Sequence, residues 1–455
     1  MQFKNSFQNL PSLFFENVVP TPLTKPQLVI VSSDCRQLLN CQLSDENLLL
    51  WLNGELRLKG DQRISTRYAG HQFGVWAGQL GDGRAISLGE VDCNHQKWEI
   101  QTKGSGLTPF SRMGDGKAVV RSSVREFLAS EAMHFLGVPT TRALALITGE
   151  DAVERETIEK SALVARVFPS NLRFGHFEYA YHFGYQNELD ALTNYAREFF
   201  FAECNSLEEM LLEIVLRTAK LIAKWQSIGF CHGVMNSDNM SLLGLTIDYG
   251  PFGFMQDFQP NWICNHSDSH GRYTYHNQPY IALWNLDRLL VCFSKKLPTT
   301  VLQEILAQFE PVFLQAHTDE FSAKLGLQTK SNEDTNLIQE LLTLMAEKEM
   351  DFTFTFRNIL NFPESTWRKK YLDRLAQEKT PENILQKNIH GKNPKYILRN
   401  YIAQEIIAEV ESGQTQKITE WLKILSSPFA EHPKFDSYAK PTPKNLQHIE
   451  ISCSS

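Results

Sequence analysis

Glycine is spread unevenly along this 455-residue chain, and that unevenness constrains the fold more than any other feature. Between Gly70 and Gly116 it crowds into YAGHQFGVWAGQLGDGRAISLGE and QTKGSGLTPFSRMGDGK, whereas beyond Leu302 long amphipathic stretches dominate. Glycine permits tight turns and close backbone approach but weakens helices. The front of the chain is therefore expected to be strands and loops, the back mainly α. With 42% apolar and 21% charged residues the chain can bury a sizeable core, which excludes a disordered or fibrous protein. Its length suits two to four domains or lobes, and the change of character gives the two halves different architecture.

Short runs at 85–91 and 97–103, separated by Asp92, Cys93 and Asn94, predict a hairpin. In the second run Trp98, Ile100 and Thr102 alternate with charged and amide residues, so Lys103 is expected to point away from the apolar face. Ser123 with Glu126 reads as a capping box for a helix over about 124–136, closed by Gly137 and Pro139. Helical spacing from Leu207 to Ile228 predicts a long buried helix ending at Gly229, followed by the loop CHGVMNSDNMSLLG. Further helices are expected at about 280–296, 300–325, 334–348, 394–410 and 415–426.

Fifty-two acidic against 45 basic residues leave a net charge of −7, which offers no general attraction to a polyphosphate backbone and disfavours nucleic acid as a partner. The eight cysteines form no CxxC pair or ligand-spaced cluster, so neither a zinc module nor a disulfide framework is indicated. No uncharged apolar run approaches the ~18 residues needed to span a bilayer, and the start lacks a signal or transit pattern. A soluble cytoplasmic protein with no membrane partner is expected.

Four polar groups follow one another in a telling order: a strand lysine (Lys103), a helix glutamate (Glu126), an Asp–Asn pair in a loop after a long helix (Asp238, Asn239), and an Asp-x-Gly turn at Asp248. Kinase-type phosphoryl-transfer sites use that order for phosphate binding, the supporting ion pair, the base and the metal ligands. Asn239 and Asp248 offer hard oxygens for Mg²⁺, and Asp238 can accept a hydroxyl proton. Singly, each residue has an ordinary role: Lys103 solvated, Glu126 capping, the Asp and Asn residues forming turns. It is the shared order that favours chemistry.

In GQLGDGR, Gly81 and Gly83 precede a strand, where backbone N–H groups can approach phosphates and Arg84 adds charge. The same pattern also suits a plain hairpin turn. It departs from G-x-G-x-x-G, and the absence of any G-K-[ST] excludes a P-loop. A second loop, containing Asp115 and Gly116, can face a nucleotide or simply close a turn. Arg166 and Arg173 are forked cations suited to phosphate oxygens, or surface arginines paired with local acids.

Together YAGHQFGVWAGQLGDGRAISLGE, QTKGSGLTPFSRMGDGKAVVRSSVREFLASEAM, CHGVMNSDNMSLLGLTIDYGPFGF, NPKYILRNYIAQEII and the terminal SCSS resemble the selenoprotein O (SelO/YdiU) family of protein adenylyltransferases over essentially the whole length. The resemblance implies an α+β, protein-kinase-like fold with two lobes, 1–168 strand-rich and 169–455 helical. It implies transfer of AMP from ATP, bound inverted, to Ser, Thr or Tyr hydroxyls of protein substrates. On the matching positions Lys103 and Glu126 would be the ion pair, and Gly81, Gly83, Arg84, Asp115 and Gly116 would line the nucleotide. Arg166 and Arg173 would hold the distal phosphates. Asp238 would be the base, with Asn239 and Asp248 on Mg²⁺, or Mn²⁺ in its place. The family's selenocysteine position falls on Cys453, and the resemblance implies a regulatory disulfide to Cys264. The rival readings are γ-phosphoryl transfer and a non-catalytic nucleotide-binding scaffold.

Overall fold

The computed structural model describes residues 3–447 and 449–452. Its strands are β1 (Phe15–Asn17), β2 (Gln27–Val31), β3 (Ile64–Thr66), β4 (Gly70–Gln72), β5 (Val75–Ala77), β6 (Ala85–Cys93), β7 (Gln96–Lys103), β8 (Ala118–Val119), β9 (Arg142–Glu154), β10 (Ile158–Phe168), β11 (Phe230–Cys231) and β12 (Gly253–Phe254). The helices that precede residue 168 are α1 (Ser33–Leu38), α2 (Asp45–Leu52) and α3 (Val120–Phe135). After it come α4 (Phe174–His182), α5 (Gln186–Phe200), α6 (Leu207–Ser227), α7 (Gln278–Val291), α8 (Thr299–Leu306), α9 (Phe309–Lys324), α10 (Asp334–Glu347), α11 (Phe352–Arg357), α12 (Thr366–Glu378), α13 (Glu382–Lys392), α14 (Asn400–Glu411) and α15 (Gln416–Leu425). The fold is thus mixed α/β, strand-rich before residue 168 and helical beyond it.

The main sheet has the order β1-β3-β6-β7-β10-β9-β2, with β8 paired to β10. The predicted hairpin is β6–β7, but its turn is only two residues: Asn94 and His95, both at positive φ (52° and 61°). That is the backbone of a type I′ turn, whose twist matches the flanking strands. Antiparallel pairing of β7 with β10 sets Gln101 opposite Arg166, so Lys103, two residues on, shares a face with that arginine. Gln101 and Thr102 are both buried, so this end of β7 is covered on both faces and the expected apolar/polar alternation fails there.

The capping-box expectation is corrected. Strand β8 runs directly into α3, which begins at Val120 with Val119 as its N-cap and no side-chain cap. Ser123 lies inside the first turns, and Glu126 is free to turn toward β7. The expected 300–325 helix is two, α8 and α9, and the helix expected from 394 starts at Asn400. Pro394 disfavours helical backbone before it, and the N–H groups of Lys395 and Tyr396 donate to the Pro428 carbonyl instead. Helices α1, α2, α4, α5, α11, α12 and α13 lie outside the predicted set; in α12 only Trp367, Tyr371, Arg374 and Leu375 are buried, and most of the remaining residues are charged or polar.

One face of the sheet packs Ile86, Ile100, Ile147 and Val167 against Leu48 and Trp51 of α2. The other face takes α3, where Phe127 and Leu128 meet Leu146 and Val164 in a core that continues through Ile222 and Trp225 of α6 to Ile402, Ile406 and Trp421 of α14 and α15. Those last helices pack on α3, so the back of the chain returns to brace the front. A separate core joins Phe321, Leu341, Phe352, Trp367 and Tyr371. Among the described residues no helix is long and apolar enough to cross a membrane.

Candidate active site

Between the sheet and the loops that follow α6 lies a cleft of about 860 Å³. Gly81, Gly83 and Arg84 form one wall, and Asp115 and Gly116 lie at another edge. Lys103, Arg166 and Arg173 meet Asp238, Asn239 and Asp248 within it. All the residues expected on a nucleotide or metal therefore border one cavity, and Glu126 lies directly behind it.

Lys103 Nζ is 2.7 Å from Glu126 Oε2. The other carboxylate oxygen of Glu126 takes the Nε–H of Arg166. Arg166 reaches on to Asp248 Oδ1 at 2.7 Å, and Arg173 pairs with Asp248 Oδ2. The result is a chain of alternating charge, Lys103–Glu126–Arg166–Asp248–Arg173, built from one strand, one helix, the neighbouring strand and two loops. Burial alone would raise the Glu126 carboxyl, but Arg166 and Lys103 outweigh it and hold the group below the usual range. Burial likewise opposes ionisation of Asp248, yet Arg173, Arg166 and Lys103 keep it well below an ordinary carboxyl. At Lys103 burial wins over Glu126 and brings the ammonium down to about 8.

Asp238 behaves differently. It is 6% exposed, and burial, against the pull of Arg173, lifts its carboxyl to about 7. Its Oδ1 has no hydrogen-bond partner, while Oδ2 accepts only a long 3.4 Å bond from the Gln72 amide. A half-ionised carboxylate with an uncommitted oxygen in a cleft is suited to accept a proton near neutrality. Asn239 donates its Nδ2 to the Val234 carbonyl at 3.0 Å, which fixes the amide.

The loop bearing these groups is closed at its base by the β11–β12 pair and held from outside by the β4–β5 hairpin. The N–H of His71 donates to Ser237 Oγ at 2.7 Å, and that of Phe73 donates to Asn236 Oδ1 at 3.0 Å. Asp248 itself sits at φ 56°, a left-handed conformation that Asp tolerates better than most residues and that recurs at functional sites. Gly116 has φ 71°, and a Cβ there would lie 2.2 Å from the Gly106 carbonyl carbon, so only glycine fits.

Asp115 is committed elsewhere: its carboxylate pairs with Arg155 at 2.8 Å and accepts the Lys117 N–H. Several lining residues escaped the sequence reading. Asp82, 3% exposed, accepts from both the N–H and the hydroxyl of Thr66. Tyr68 lies under the Arg173 guanidinium at 5.0 Å, and Gln72 reaches Asp238. Asp82 was discoverable, since Gly81-Asp82-Gly83 repeats the pattern of Gly114-Asp115-Gly116; Tyr68 and Gln72 carried no such signal. Cys264 is 5% exposed and its thiol donates to the Cys231 carbonyl at 3.4 Å. Cys453 lies outside the described residues.

Residues 1–380 match the family described as "Protein adenylyltransferase SelO". The chain is 43% identical to protein nucleotidyltransferase YdiU of Bordetella petrii, over 100% of this chain and 98% of that protein. It is 42% identical to the YdiU proteins of Yersinia pseudotuberculosis, over 100% and 99% of the two chains, and Hydrogenovibrio crunogenus, over 99% and 100%. With five-sixths of its length in the family match and end-to-end similarity to these proteins, the chain belongs to the SelO family of protein adenylyltransferases, enzymes of the nucleotidyltransferase class.

Proposed function

We propose that the cleft binds ATP inverted, with the distal phosphates on Arg166 and Arg173, and that the enzyme transfers AMP to Ser, Thr or Tyr hydroxyls of other proteins. Residues 1–168 and 169–455 would be the two lobes of a protein-kinase-like fold that grip the nucleotide between them. The observation that carries this reading is the buried arginine pair gathered on Asp248 beside Asp238. Guanidinium groups there suit the β- and γ-phosphates, which leaves diphosphate as the stabilised leaving group and turns the α-phosphorus toward the acceptor.

In this reaction the acceptor hydroxyl oxygen bonds to the α-phosphorus while the bond from that phosphorus to the α,β-bridging oxygen breaks. Asp238 takes the hydroxyl proton, and diphosphate departs with its charge on Arg166 and Arg173. Lys103, steadied by Glu126, holds a phosphate oxygen. Asn239 and Asp248 are hard oxygen donors in the same cleft as the unpartnered Asp238 Oδ1, a donor set that fits Mg²⁺ or Mn²⁺. A divalent ion held there would neutralise phosphate charge. Were Asp248 to exchange an arginine for such an ion, that arginine would be free to take a phosphate oxygen.

Thiol oxidation is proposed to tune the enzyme. The His266 N–H donates to the Ile451 carbonyl at 2.9 Å, which brings the C-terminal tail to within two residues of Cys264. Oxidised glutathione would accept two electrons as Cys264 and Cys453 join, and non-reducing peptide mapping would find or refute the linked pair.

ATP labelled at either the α- or the γ-phosphate, incubated with Mg²⁺ and a lysate, tests the activity. Label should reach protein from the α position only, and Asp238→Asn should abolish it. Transfer from γ alone would overturn the reading in favour of a kinase reaction, and ATP binding with no transfer from either position would favour a scaffold.

A further inference from the structure

We infer that His71, Glu178 and His182 form a metal site for a transition ion of the zinc class, on the far side of the loop that carries Asp238. One ligand atom from each residue lies within 4.8 Å of the others. Glu178 and His182 stand four residues apart on α4, hence on one face of it, and His71 comes from β4 across from them.

The independent observation is at the glutamate. Glu178 is 0% exposed. Its Oε2 is 2.5 Å from His71 Nδ1, but its Oε1 has no hydrogen-bond partner. A buried carboxylate oxygen without a partner is costly and rare in native structures; a bound cation would resolve it. Two imidazoles with one carboxylate suit zinc and its neighbours and are a poor set for Mg²⁺, which demands oxygen. His71 is 9% exposed and His182 sits at the surface, so the ion would enter from the His182 side and keep an open position there. Aromatic walls limit water elsewhere: Trp76 lies 4.0 Å from the His182 ring, and Trp284 lies 5.2 Å from that of His71. In a tetrahedral site with metal–ligand bonds near 2.1 Å the donors are separated by roughly 3.4 Å, so on binding the 2.5 Å His71–Glu178 hydrogen bond would open as the ion replaces its proton, and the donors, all within 4.8 Å of one another, would draw to that spacing.

The site would pin the β4–β5 hairpin to α4. Because that hairpin donates Gln72 to Asp238 and the Phe73 N–H to Asn236, the metal would act as a positioning element for the catalytic loop. The inference does not depend on which phosphate is transferred.

Equilibrium dialysis of the full chain against Zn²⁺ in excess Mg²⁺, with metal counted by mass spectrometry, tests it. One zinc per chain should bind, and it should survive Asp248→Asn. His182→Ala, at an exposed position, should weaken zinc binding by more than ~10-fold, and Glu178→Gln should weaken it as well. The circular dichroism of both variants in chelator should match that of the parent protein. No zinc on the parent protein, undiminished affinity in His182→Ala, or loss of zinc in Asp248→Asn would each overturn the proposal.

Discussion

Asp238 combines two properties that pull in opposite directions. Burial lifts its carboxyl to about 7, which makes it a competent base near neutrality but a destabilising charge in the fold. As the proposed base, Asp238 must be ionised, so log kcat/KM for AMP transfer should rise with unit slope as pH increases toward 7 and then level off, which a pH–rate profile would read. An acid whose folded pKa is raised costs stability that is absent below its unfolded value near 4 and complete above about 7. Asp238→Asn should therefore be inactive yet more stable than the parent by on the order of 4 kcal/mol at pH 8, with the difference nearly gone by pH 4. Chemical denaturation at the two pH values measures it, and an equal effect at both would show that burial of charge is not the cause. That Lys103, Glu126, Asp238, Asn239 and Asp248 come together at one cleft was legible because their order along the chain is informative. Arg166 and Arg173 converging on Asp248 was not legible, because it depends on β10 lying beside β7 and on the entry to α4, contacts between distant parts of the chain.

At the scale of elements, α3 holds Glu126 at the strand lysine, and the glycine turns keep the rim of the cleft close. Gly116→Ala would force a Cβ into the Gly106 carbonyl at a backbone conformation that costs a non-glycine residue about 1–3 kcal/mol. The expected outcome is a KM for ATP raised at least ~10-fold with the fold retained, since about 1.4 kcal/mol corresponds to a factor of ten; titration of ATP binding checks it. Glu126→Gln should also raise KM, because Lys103 and Arg166 lose their shared carboxylate. The β6–β7 hairpin and α6 could be read from local pattern and turn chemistry. The start of α3 could not, because pairing of β8 with β10 overrides the local Ser123–Glu126 signal, and neither could α12, whose buried face is confined to a few residues in a charged helix.

Across the whole molecule, the core that begins under the sheet ends in α14 and α15. The family match stops at residue 380, but Ile402, Ile406 and Trp421 share one core with Phe127 and Val164. Trp421→Ala should cost about 3–5 kcal/mol, and a chain cut after Lys392 should fail to unfold cooperatively in a denaturant titration, because the surface of α3 would be bare. The return of these helices onto the strand-rich half joins residues too far apart for periodicity to reveal. The central claim concerns the direction of the nucleotide in the cleft. A crystal structure with Mg²⁺ and an ATP analogue carrying a methylene in place of the α,β-bridging oxygen tests it most directly. The account predicts the β- and γ-phosphates on Arg166 and Arg173, with the α-phosphorus facing Asp238. Adenine at the arginines, or the γ-phosphate at Asp238 with both guanidinium groups still on Asp248, would contradict it.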